Sequence, residues 1–111
     1  MSLIDQSTFA GLREMSGDEL LNELIDVFLV DAPRMITAMQ TALEATDVDA
    51  FRRNAQSLKS NAETFGATAL AALAKELEVM ARAGNLAVGS RLDALREASA
   101  SACGELAGLR P

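Results

Sequence analysis

Between Leu21 and Leu43, apolar side chains return every third or fourth residue: Leu21, Leu24, Ile25, Phe28, Ala32, Met35, Met39 and Leu43. A turn of α-helix takes about 3.6 residues, so these side chains form one stripe along a helix running from about residue 18 to 45. A helix with a stripe on one side must bury it against other helices or a sheet. Three more stretches carry the same period. They are Phe51, Ala55, Leu58, Ala62 and Phe65; then Leu70, Leu73, Leu77 and Met80; then Val88, Leu92, Leu95, Ala102, Leu106 and Leu109, with Ser99 in register. No window alternates with period two, and Trp and Tyr are absent, so the strand-favouring residues are scarce. The pattern predicts an all-α fold, an antiparallel four-helix bundle with a short additional N-terminal helix, as a single domain over residues 1–111.

The breaks in the pattern set the boundaries. Asp5 is placed as the N-cap of the short first helix, with Phe9 and Leu12 on one side. Gly17 and Asp18 separate it from the long second helix. Pro33 interrupts that helix: it cannot donate to the carbonyl of Leu29, so a kink or a restart is expected, with Asp31 available as a fresh N-cap. Asp47 and Asp49 open the next helix, and Gly66 supplies its left-handed terminus. Thr68 is expected to cap the helix that Gly84 and Asn85 end. The last helix is expected from about Val88 to Leu109. Met1-Ser2-Leu3 reads as a leader.

Charge and residue types narrow the function. Asp and Glu number 16 against 10 Lys and Arg, a net charge of −6, and such an acidic chain is a poor match for nucleic acid or an anionic membrane. There is no His and only one Cys, Cys103. That excludes an internal disulfide, a CxxC site, a His-ligated metal and any Ser-His or Cys-His nucleophile pair. No stretch spans a bilayer and no signal region opens the chain, so a cytoplasmic protein is expected. Cys103, among Ala102 and Leu106, is read as a small buried hydrophobe. Ser57 and Thr64 have no evident base beside them and are read as ordinary polar side chains. The carboxylates are expected on helix exteriors, in no metal-ligand or acid/base spacing.

The helix from Asp49 to Phe65 holds the most information. With its core side set by Phe51, Ala55, Leu58, Ala62 and Phe65, the residues Arg52, Gln56, Lys59 and Glu63 fall on one flank with Ser60 beside them. Taken alone, this polar row is what the solvated face of any bundle needs. However, the run Asn54-Ala55-Gln56-Ser57-Leu58-Lys59-Ser60-Asn61-Ala62-Glu63-Thr64-Phe65-Gly66-Ala67 resembles the signature of histidine-containing phosphotransfer (HPt) domains. The run Phe28-Leu29-Val30-Asp31-Ala32-Pro33 before it, the Leu70, Leu73, Leu77, Glu78 spacing after it, and the Arg82-Ala83-Gly84-Asn85 turn fit the same family, so the resemblance covers nearly the whole chain.

The resemblance implies a phosphorelay module, an intermediate that accepts a phosphoryl group from one receiver domain and passes it to another, rather than an enzyme. It implies that Lys59 attracts the phosphoryl group and that Ser60 is the small residue that admits the partner. The receiver-binding set is then Arg52, Gln56, Lys59, Ser60 and Glu63. The implied partners are a response-regulator receiver domain and a hybrid sensor histidine kinase, with the chain itself a monomer. No cofactor or metal is expected on this chain; Mg²⁺ belongs to the receiver. The departure is that the family's phospho-accepting histidine falls on Gln56. An amide nitrogen has its lone pair delocalised into the carbonyl and is a poor nucleophile. This chain is therefore expected to bind receivers without transferring phosphate. Two origins stay open, a pseudo-phosphotransfer protein or a His-to-Gln substitution in this copy. The alternative function is a generic helical interaction or oligomerisation module.

Leu20, Val27 and Val30 lie off the main stripe of the second helix. They are expected to be covered in part by the first helix, through Phe9 and Leu12, with an apolar receiver contact as the other reading.

Overall fold

The computed structural model describes residues 3–111; Met1 and Ser2, part of the expected leader, lie outside the described residues. Five helices follow in order: α1 (Gln6–Ser16), α2 (Asp18–Glu44), α3 (Val48–Phe65), α4 (Thr68–Arg82) and α5 (Arg91–Gly108). α2 packs on α3 and α5, and α4 packs on α3 and α5, with no diagonal pairing. Short turns join successive helices, so neighbours run antiparallel and the four long helices form a square bundle. The short α1 packs against α2 and α3. No helix among the described residues is long and apolar enough to cross a membrane.

The stripes meet on the axis. Leu21, Ile25, Phe28, Ala32 and Met39 of α2 face Phe51, Ala55, Leu58, Ala62 and Phe65 of α3, and all ten are buried. The rings of Phe28 and Phe65 lie 5.1 Å apart and tilted by 52°, within the range where aromatic pairs add to plain burial. Ile36, Ala42, Ala71, Ala74 and Ala81 join the core, whereas Leu24, Met35, Leu43, Leu73, Met80 and Leu109 only flank it.

α3 is fixed at both ends. The Asp47 carboxylate accepts the Ala50 amide at 3.1 Å, capping the N-terminus. At the other end Gly66 has φ 78°. The Ala67 amide reaches the Ala62 carbonyl at 2.9 Å and the Gly66 amide reaches Glu63 at 3.1 Å, the two bonds of a Schellman turn. The Gly66 carbonyl then accepts the Asp5 amide at 2.8 Å. A Cβ at Gly66 would sit 3.0 Å from both the Asp5 carbonyl oxygen and the Thr8 Cβ. Gly66→Ala therefore meets left-handed strain and crowding together, and should cost about 2 kcal/mol. A thermal melt should fall by roughly 8 °C; an unchanged midpoint would contradict this account of the turn.

Several boundaries differ from the sequence expectation. α2 is continuous through Pro33, with no restart and no Asp31 cap. The buried run Phe28, Ala32, Ile36, Met39 carries the helix through, and the cost of an interior proline, about 3 kcal/mol from the lost hydrogen bond and the ring's clash with the preceding turn, is smaller than that burial. Thr68 does not cap α4: Ala67 holds the cap position and Thr68 is the first helical residue. α5 begins at Arg91 rather than Val88, which is buried in the preceding turn. Asp5 does stand at the start of α1, but its carboxylate makes no cap bond and accepts the Thr8 hydroxyl at 2.6 Å. That bond holds the Asp5 carboxyl below its ordinary value. Leu3, expected in a leader, is tied down: the Leu3 and Ile4 amides donate to the Glu105 carboxylate at 3.1 and 2.8 Å, joining the chain start to α5.

α1 does not cover the off-stripe residues of α2. Leu20, Val27 and Val30 are 46%, 56% and 56% exposed. They sit roughly 110–170° around the helix from its core side, whereas Phe9 of α1 turns into the core. Cys103 is only partly buried. Burial pushes its thiol above the ordinary value, against an opposing hydrogen bond with Ser99. That makes it a poor nucleophile at neutral pH.

Candidate functional site

The candidate site is the outer face of α3, held rigid by its neighbours on both sides. Gln56, Ser60 and Glu63 are exposed, with Ser57 and Thr64 beside them, whereas Arg52 and Lys59 are partly buried. Gln56 and Ser60 are four residues apart and share a side of the helix, with Lys59 one turn from Gln56. Thr64 donates its hydroxyl to the Ser60 carbonyl at 3.0 Å, and the Ser60 side chain is small and exposed. The α2 edge of this face carries Val27 and Asp31, which meet Asn61 and Thr64 in a shallow groove between the two helices.

The two cations of the row are already engaged. The Arg52 guanidinium donates to the Asp49 carboxylate at 2.9 Å. Asp49 also pairs with Arg53 at 3.3 Å, and its carboxyl is held below the usual value, chiefly by the Arg52 hydrogen bond. Lys59 reaches the other way, to α4, where its Nζ lies 3.3 Å from Oε2 of Glu78. Glu78 is 2% exposed and its Oε1 accepts the Arg82 guanidinium.

Glu78 is a correction to the sequence expectation, which placed all carboxylates on helix exteriors. A single carboxylate buried between helices is tolerated because two cations meet it. The signal was present. Glu78 falls on the α4 side that carries Ala71, Ala74 and Ala81, and Arg82 follows it by four residues, the spacing of a helical ion pair. Among the described residues no group of three or more His, Cys, Asp or Glu is placed to hold a metal.

The structure is thus an antiparallel helical bundle with one polar helix face on α3, small at its centre and flanked by a half-sunk lysine. The chain belongs to the Hpt domain family. The family's sequence profile matches residues 23–104. The crystal structure of histidine-containing phosphotransfer protein B (HptB) from Pseudomonas aeruginosa PAO1 is similar with a TM-score of 0.90, at 30% identity over 96% of this chain and 93% of that chain. No curated protein sequence matches the chain. Hpt domains are phosphotransfer intermediates of phosphorelays rather than enzymes in the ordinary sense, and they interact with receiver domains and histidine kinases.

Proposed function

We propose that this chain is a phosphorelay module that docks receiver domains through the exposed face of α3 and does not carry phosphate itself. The observation that carries this reading is an Hpt domain whose 111 residues include no histidine, with an exposed Gln56 where the family's acceptor falls. Phosphoryl transfer needs a nucleophile with a free lone pair placed in line with the leaving group. The Gln56 amide offers hydrogen bonds but no such lone pair. Both origins of Gln56, natural or substituted, give this chain the same property.

The rest of the face is suited to binding. Ser60 keeps the approach clear, Lys59 and Arg52 supply positive charge in an otherwise acidic molecule, and Val27 and Val30 add exposed apolar area along α2 of the kind that marks interaction surfaces. Magnesium and the phosphorylated aspartate are the receiver's contribution. Titrating a receiver domain into ¹⁵N-labelled protein should move the amide signals of Gln56, Ser60 and Glu63 together with Val27 and Val30. Ser60→Trp, a bulky change at an exposed position, should weaken binding about tenfold and leave the melt unchanged. Binding that bypasses these residues, or no binding to any receiver, favours a generic helical interaction module instead.

A further inference from the structure

We infer that Glu78 is a positioning residue for Lys59 and that Arg82 makes the lysine releasable. The inference rests on the proposed docking face only for its use, not for its geometry. Glu78 is buried on α4 and its two oxygens face different cations. Oε1 accepts a hydrogen bond from Arg82. Oε2 lies 3.3 Å from the Lys59 ammonium yet has no hydrogen bond, so this arm is an ion pair without hydrogen-bond alignment. The lysine is therefore the weaker of the two arms, and it sits on the helix that carries Gln56, one turn away. When an anionic group docks over Gln56, Lys59 can swing to it while Arg82 keeps the buried carboxylate compensated. Without Arg82, leaving Glu78 would strand a buried charge, and Lys59 would be locked in place.

This arrangement predicts opposite effects from two changes that a merely structural ion pair would move in the same direction. The chain has two lysines, Lys59 and Lys75, and Lys75 is exposed with no ion pair among the described residues, so it serves as an internal reference. Reductive methylation with formaldehyde, read by mass spectrometry, gives the Lys59 rate relative to Lys75. Glu78→Gln should raise that ratio about fivefold, the factor expected from loss of a modest ion pair. Arg82→Gln should lower it below that of the unaltered chain. A rise in both variants means that general loosening governs Lys59, and no change in either means that Glu78 does not hold it; either result overturns the inference. These measurements need no partner, so they stand apart from receiver binding. In the presence of a phosphorylated receiver that binds, Arg82→Gln should weaken the complex, whereas equal affinity would overturn the release step alone.

Discussion

Replacing Gln56 by His should convert a chain that takes up no phosphoryl group into one that does. Incubated with a phosphorylated receiver domain, the unaltered chain should remain unlabelled and Gln56→His should acquire label. The chemistry is the difference between a delocalised amide and an imidazole that titrates near 6.5 and is partly neutral at pH 7. The setting is already built. Position 56 is solvent-facing on a helix capped by Asp47 and closed by Gly66, and Leu58, one of the neighbouring core positions, is fully buried. An exposed polar exchange at such a position should change stability by no more than about 0.5 kcal/mol, so loss of fold does not confuse the result. A folded Gln56→His protein that binds the receiver yet stays unlabelled means that position 56 is not the acceptor position.

The largest effect on stability should come from Phe51→Ala. Phe51 is fully buried at the first turn of α3, where its ring joins the core directly beneath the Asp47 cap. Truncation removes the ring and leaves a cavity, at a cost of about 3–5 kcal/mol. A domain of this size has roughly 5–15 kcal/mol in total, so the melting midpoint should fall by roughly 12–20 °C. Ser57→Ala, on the exposed side of the same helix, should leave the midpoint almost unchanged. A small shift for Phe51→Ala would mean that α3 is not anchored through this ring.

Much of this architecture is legible from spacing alone. Side chains such as Leu21, Ile25, Phe51 and Leu58 repeat with the helical period, and burial follows the period because a helix has only one inward side. The misplaced features share a different cause. Asp31 and Thr68 are good caps by residue type, but α2 is carried past Pro33 by packing, and α4 starts straight out of the Gly66 turn without a side-chain cap. Val27 and Val30 are apolar and invite a covering partner within the chain, yet their angle on α2 points them at solvent. Charge pairing between helices is not encoded in local spacing. Lys59 and Glu78 come from different helices, and only the packing of α3 on α4 brings them to 3.3 Å. The polar row on α3 is legible from spacing as a row, but its division into the open Gln56, Ser60 and Glu63 and the engaged Arg52 and Lys59 depends on partners from other turns and helices.

The most direct measurement follows the phosphoryl group and the complex in the same sample. A receiver domain carrying ³²P on its aspartate is mixed with the unaltered chain, binding is read by light scattering or gel filtration, and the label is located after separation. Saturable complex formation with all of the label remaining on the receiver is the predicted result. Label recovered on this chain would contradict it, and so would a receiver that never binds at all.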